Sequence, residues 1–293
     1  MSTYDEYEAP VTAKDVTVLK ADVNNRHLVI DRGIVYKQAY RLDLHIHLIS
    51  PEYLEVREEP LIIFVQGSAW MKQDMDNHLM DLYPIAMAGY KVAIVEYRPS
   101  TLRPFPAQAE DVKDAVRFMY EHRNEFGVDG DKIFLMGDSS GAHSALMALM
   151  RWEEDMPKVR GLVDYYGPTD IVAMNDAPSA IDHAGPDSPE GLLIGGYPVL
   201  ESPERTAPTI VMNYISEDHP LPPIAIFHGT ADRLVPYSQS ELLYNRLTAC
   251  HKIAELYPVA GADHGGSTFY CSQVYEKTLE FLNKYSEGDY CFV

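Results

Sequence analysis

Long apolar runs are missing from this 293-residue chain, and so is any surplus of basic charge. Stretches such as Leu61-Ile62-Ile63-Phe64-Val65 stop at strand length, far short of the roughly 20 apolar residues that cross a bilayer. The first twenty residues, MSTYDEYEAPVTAKDVTVLK, carry four acids and no apolar core, which excludes a secretory signal on pattern. Lysine and arginine number 24 against 44 aspartates and glutamates, a formal net charge of −20. Such a chain is repelled by phosphate backbones and anionic lipid, so neither nucleic acid nor a membrane surface is an expected partner. Cysteine is scarce: Cys250, Cys271 and Cys291 are odd in number and crowd the C-terminus, which is no disulfide framework and points to a reducing, cytoplasmic setting. No repeat, low-complexity tract or inter-domain linker breaks the chain.

What is present is ample core material, with 46% apolar and 23% charged residues, the values of a globular protein. Residues 1–25 read as an acidic lead-in. The segment 41–49 alternates apolar and polar side chains at period two, as a half-exposed strand does. Continuous apolar runs at 61–65 and 91–95 predict strands covered on both faces, a habit of parallel sheets, and further strands are predicted at 132–136, 162–166, 224–227 and 254–257. Helices are predicted at 107–126 with Gly127 as the stop, and at 140–151, 236–249 and 271–285. Strand and helix alternate from residue 61 onward. The fold class is therefore α/β, a doubly wound and mostly parallel sheet within a single domain over 1–293. Residues 167–222 interrupt the alternation with proline and glycine and lack strong periodicity. They read as a lid-like insertion over the C-terminal edge of the sheet, where such folds keep ligands.

The chemistry concentrates at Gly137-Asp138-Ser139-Ser140-Gly141, which follows the strand 132–136 and opens the helix from 140. A G-x-S-x-G turn at a strand-to-helix junction exposes its serine above the sheet, and random order yields well under one such match in a chain of this composition. No lysine follows the second glycine, which weighs against a phosphate loop. A serine hydroxyl needs a base, and the base an orienting carboxylate. Among eleven histidines, His264 stands out in the glycine-rich loop Gly261–Gly266, after the last strand and before the final helix. His45, His47 and His143 read as structural or solvated, and His228 as a shaper of its turn. Asp232, just past the strand 224–227, is the expected acid, with Asp170 the alternative; Asp263 adjoins His264 too closely to orient it. Oxyanion donors are expected from the amides of Ser68 and Ala69, in the loop Gln66-Gly67-Ser68-Ala69-Trp70, and from the amide of Ser140. Trp70 is expected to line the substrate pocket.

The order Ser139, Asp232, His264, the G-x-S-x-G turn and the small-residue loop 66–70 resemble an α/β-hydrolase. More narrowly the chain is similar to esterases related to hormone-sensitive lipase and to the feruloyl and acetylxylan esterase group. The similarity extends over most of 40–285 and includes Tyr97-Arg98, Phe105-Pro106-Ala107-Gln108 with Asp111, Ser188-Pro189-Glu190-Gly191-Leu192-Leu193-Ile194-Gly195-Gly196, and Asp263-His264-Gly265-Gly266. The resemblance implies hydrolysis of carboxylic esters through an acyl-enzyme, with no cofactor and no metal, on a small-molecule ester of short acyl or hydroxycinnamoyl type linked to carbohydrate. It departs at the oxyanion loop, where the family pattern His-Gly-Gly-Gly/Ala-Trp is replaced by Gln66-Gly67-Ser68-Ala69-Trp70, and Ser68 is expected to take the backbone angles of the glycine it replaces. An arylformamidase-type amidase would use the same triad. An acyl-peptidase of this fold normally carries a second large domain, for which 293 residues leave no room. A non-catalytic binding module would be expected to lack a triad member. Oligomeric state is not fixed by sequence, and a homo-oligomer is compatible with it.

Overall fold

The computed structural model describes residues 11–20, 27–39, 42–52 and 57–287. Arg41, Cys291 and most of the lead-in (residues 1–10 and 21–25) lie outside the described residues. The strands are β1 (His27–Ala39), β2 (Leu42–Glu52), β3 (Glu59–Val65), β4 (Lys91–Val95), β5 (Val128–Asp138), β6 (Val159–Tyr165), β7 (Ile224–Gly229) and β8 (Ala254–Val259). The helices are α1 (Leu79–Met87), α2 (Ala107–Glu121), α3 (Arg123–Phe126), α4 (Ser139–Met150), α5 (Pro189–Leu193), α6 (Pro203–Thr206), α7 (Ser238–Ala249) and α8 (Ser272–Ser286).

One eight-stranded sheet runs in the order β1-β2-β4-β3-β5-β6-β7-β8. β2 is antiparallel to both β1 and β4, and every pair from β4 to β8 is parallel. The apolar runs of β3, β4, β6 and β7 are buried on both faces because helices cover both. Leu61, Ile63 and Val65 point to the side packed by α2, α4 and α7. Ile62 and Phe64 point to the side packed by α1 and α8. This period-two division is why the strands read as unbroken hydrophobic runs.

β1 and α1 were not legible, nor were the short helices α5 and α6 inside 167–222. β1 is an exposed edge strand whose pairing slips between Asp31 and Ile34 and again between Val35 and Lys37, so its alternation is broken. α1 carries Pro84 in its interior, a residue that ordinarily argues against a helix. The predicted helix 107–126 ends at Glu121, then a last turn closes at Gly127 in the left-handed region, φ +60°. Residues 167–222 span from just past β6 to just before β7 and hold α5, α6 and several 3₁₀ turns. They are anchored by Ile171, Leu193, Ile194 and Val199 around Trp70.

Candidate active site

β5 passes into α4 without an intervening loop, and the reversal rests on glycine at two positions. A Cβ on Gly141 would lie 2.0 Å from the carbonyl oxygen of Val65, and one on Gly137 2.7 Å from the amide of Ala142. Between them Ser139 sits at φ +50°, a strained angle for a residue with a side chain, and this lifts Oγ above the edge of the sheet. His264, from the loop after β8, brings Nε2 to 2.9 Å from that Oγ. Its Nδ1 lies 2.7 Å from Oδ2 of Asp232, in the loop after β7. The three side chains that sequence placed on separate loops are thus brought together.

Asp232 is fixed from every side. Its Oδ1 accepts from the amides of Leu234 and Val235, at 2.8 and 2.9 Å. Its Oδ2 is shared by His264 and by His228, whose Nε2 is 3.2 Å away. Burial by itself would raise the Asp232 pKa, but hydrogen bonds and charge from His228 and His264 outweigh it and hold the carboxyl well below the usual carboxylate range. An ionised carboxylate only accepts, so His264 carries its hydrogen on Nδ1 and turns a lone pair on Nε2 toward the Ser139 hydroxyl. His228 does more than shape a turn: its Nε2 also faces the Val235 carbonyl at 2.9 Å and its Nδ1 meets Ser240 Oγ at 2.6 Å. Asp170 instead caps its own turn, accepting from Val172 and Ala173. Asp263 pairs with Arg233 at the surface.

The loop after β3 lies against the elbow. The Gly67 amide donates to Asp138 Oδ1 at 2.8 Å. The expectation for Ser68 needs correction. Its amide donates to the Ser140 hydroxyl at 2.9 Å, as does the Trp70 amide at 3.0 Å, so Ser68 is removed from the donor set. The left-handed backbone falls one residue later than expected, on Ala69 and Trp70, both at φ +55°. The amides of Ala69 and Ser140 have no acceptor among the described residues, and Ser140 belongs to the first turn of α4, where helix amides are left unpaired. Support behind the loop comes from Tyr97, whose hydroxyl contacts Ser68 Oγ at 2.9 Å and donates to the Gln66 carbonyl at 3.1 Å. Gln73 reaches the same group: its Oε1 accepts from the Tyr97 amide at 2.9 Å.

The BD-FAE family model matches residues 46–247, from within β2 to near the end of α7. The chain belongs to the BD-FAE family. Among curated proteins it is 28% identical over 251 residues to the probable isoprenylcysteine alpha-carbonyl methylesterase ICME of Oryza sativa subsp. japonica, covering 80% of this chain and 57% of that protein. It is 27% identical over 216 residues to the probable carboxylic ester hydrolase LipM of Mycobacterium tuberculosis, covering 68% and 47%. The chain thus spans about half the length of the curated relatives it matches. Two solved structures superpose on most of it. A carbohydrate esterase from gut microbiota, in truncated form, gives a TM-score of 0.78 at 24% identity over 89% of this chain and 97% of that one. A bifunctional GH43-CE protein of Bacteroides eggerthii gives 0.75 at 25% identity, over 88% and 38%. The fold is that of the α/β-hydrolases.

In this BD-FAE chain a cavity of about 560 Å³ opens beside Ser139 and His264. Trp70 borders it but is only 1% exposed. Its indole is spent inward, donating to His143 Nδ1 at 3.2 Å. His143 Nε2 in turn meets the Thr209 carbonyl at 2.9 Å, so the sequence expectation of a structural histidine matches its surroundings. Burial pushes its pKa down to about 4, against a smaller opposing effect of the Thr209 carbonyl. The cavity walls also hold groups the sequence did not single out as site residues: His78, Tyr166 and Tyr270 near Asp138, and the pair His183 and Glu190. Glu190 sits in the Ser188–Gly196 motif, which was a usable signal; His78 had none. Among the described residues no helix is long and apolar enough to cross a membrane, and no group of three or more His, Cys, Asp or Glu side chains could hold a metal ion.

Proposed function

We propose that the protein is a serine carboxylic-ester hydrolase acting through an acyl-enzyme. The single observation that carries the reading is the chain Ser139 Oγ–His264–Asp232, at 2.9 and 2.7 Å, on the rim of a cavity. Ser139 Oγ attacks the ester carbonyl carbon while His264 Nε2 takes the hydroxyl proton, and the carbonyl π pair moves onto oxygen. The amides of Ala69 and Ser140 receive that oxyanion, and Asp232 steadies the imidazolium. Collapse expels the alcohol, which takes the proton from His264. Water, deprotonated by the same nitrogen, then releases the acid.

Names of relatives support the reaction class: a methylesterase and a carboxylic ester hydrolase by sequence, a carbohydrate esterase by fold. The substrate we propose is a short-acyl or hydroxycinnamoyl ester joined to carbohydrate, with residues 167–222 acting as a lid over the cavity and the chain working in the cytoplasm. The test is turnover of p-nitrophenyl acetate and feruloyl esters, with N-formylkynurenine as the amide comparison, in the parent and in Ser139→Ala. The variant is expected to fold and to lose activity by about 10⁶, the scale seen when a nucleophile is removed from such a triad. A phosphonate label should attach to Ser139. Full activity in Ser139→Ala, or labelling elsewhere, overturns the proposal; faster turnover of the amide than of any ester replaces it with the amidase reading.

A further inference from the structure

Asp232 Oδ1 is held by two backbone amides, those of Leu234 and Val235. Each amide is one end of a planar peptide unit whose other end is a carbonyl, that of Arg233 for the first and that of Leu234 for the second. The insertion bonds both carbonyls. The Arg233 carbonyl accepts from the Ala180 amide at 2.7 Å and from the Ser179 hydroxyl at 3.2 Å. The Leu234 carbonyl lies 3.0 Å from the same hydroxyl and 3.0 Å from His183 Nε2. Both peptide planes that hold Oδ1 are thus pinned at their far ends by side chains 51 to 55 positions earlier in the chain.

The buried ring of His183 is set for that contact. Its Nε2 also lies 2.8 Å from Ser179 Oγ, whose own hydrogen is directed at the two carbonyls. Nε2 therefore faces acceptors only and carries a hydrogen. On the other side of the ring, Nδ1 lies 3.0 Å from Glu190 Oε1, while Glu190 Oε2 is buried without a partner among the described residues. Burial works against a charged ring, but the adjacent Glu190 raises the His183 pKa above its ordinary value. Glu190 thus backs the imidazole, and the imidazole backs Leu234. Linked hydrogen bonds polarise one another, so a donor on a carbonyl strengthens the N–H of the same peptide.

We propose that His183, with Ser179, is a positioning residue for the ester hydrolysis: it holds the Leu234–Val235 loop from behind and so sets the Asp232 carboxylate against His264. The inference rests on the esterase reading and adds that the insertion, not the acid's own loop alone, places the acid. Slack at the Leu234 and Val235 amides lets Oδ1 swing, and the 2.7 Å contact between Oδ2 and His264 Nδ1 is lost with it. His264 serves acylation and deacylation alike, so both steps slow together: kcat falls while KM holds. A misshapen cavity would instead raise KM.

The experiment measures kcat and KM on p-nitrophenyl acetate for three variants, each checked for folding by circular dichroism. His183→Gln keeps an N–H donor near the place of Nε2 and loses the one at Nδ1; His183→Asn does the reverse. Both remove the charge opposite Glu190, so that loss cancels between them. His183→Asn is expected to lower kcat by about tenfold to a hundredfold at nearly constant KM, the scale on which a small misplacement from a remote substitution acts. His183→Gln is expected to restore most of that loss. A parental kcat in His183→Asn, a loss confined to His183→Gln, or an effect on KM alone overturns this inference and leaves the esterase reading standing. Should either histidine variant fail to fold, or the two lose equally, Ser179→Ala decides, because it leaves the His183–Glu190 pair intact. There a fall in kcat of about threefold to tenfold at constant KM, the worth of one hydrogen bond, supports the inference, and a parental kcat overturns it. No turnover by the parent removes both readings.

Discussion

At the scale of single residues, histidine separates into groups by what faces its two nitrogens. His264 has a carboxylate on one side and a serine hydroxyl on the other, at 2.7 and 2.9 Å; that asymmetry suits the base of the proposed mechanism. His143 has an indole N–H on one side and a carbonyl on the other, which fixes a neutral ring with no lone pair to spare. Its pKa of about 4 lies below the ordinary 6.5. Between those values the unfolded chain binds a proton that the folded one refuses, so stability is fully present above pH 6.5 and is lost as pH falls through about 4. The loss amounts to about 3 kcal/mol at most. Urea midpoints of His143→Gln should therefore fall less steeply between pH 6.5 and pH 4 than those of the parent. Parallel curves would assign the acid sensitivity to another group.

Among elements, the active-site rim is a contact between the loop after β3 and the start of α4, and its fastener is the Ser140 hydroxyl. That one oxygen accepts from two amides, those of Ser68 and Trp70. The residue following Ser139, the nucleophile of the proposed mechanism, therefore leaves its amide unpaired and gives its side chain to the loop. Ser140→Ala keeps the backbone donor and strands two amides. We expect a loss of about 2 kcal/mol in stability. We also expect a fall in kcat of about tenfold or more, with KM changed less, because a loosened loop misplaces the Ala69 donor. A thermal unfolding scan and steady-state kinetics on p-nitrophenyl acetate read the two effects; an unchanged kcat would show that the loop is held by Tyr97 and Gln73 alone.

For the molecule as a whole, the β1 edge of the sheet is tied to its interior and to the helix layer by one buried acid. Asp111 on α2 is fully buried. It accepts from the Arg98 amide and guanidinium, just past β4, at 2.8 to 3.0 Å, and from Lys37 on β1 at 2.6 Å. Edge strand, sheet centre and helix layer thus meet at a single carboxylate. Asp111→Ala leaves the Arg98 charge buried without its main partner and should cost about 3–5 kcal/mol, read as a lower urea midpoint with an unchanged slope. A shift below 1 kcal/mol would mean that Glu110, 3.5 Å from Arg98, takes over the pairing.

Sequence by itself determined the layering, and it pointed to the three side chains, Ser139, Asp232 and His264, that the proposed function takes as catalytic. Unbroken apolar runs demand cover on both faces of a strand, and a glycine-flanked serine at a strand end has few other uses. The order of Ser139, Asp232 and His264 along alternating strands placed all three at one edge. Tertiary structure decided the rest, because it turns on contacts between segments far apart in the chain. β1 and α1 break the local rules and are held by packing and pairing. The proposed donor is Ala69 rather than Ser68 because Ser140, 72 positions away, claims the Ser68 amide. Glu190 has an unpartnered oxygen only because the insertion folds it against His183. Hydrophobic periodicity is written in neighbours along the chain; hydrogen-bond competition is settled among neighbours in space.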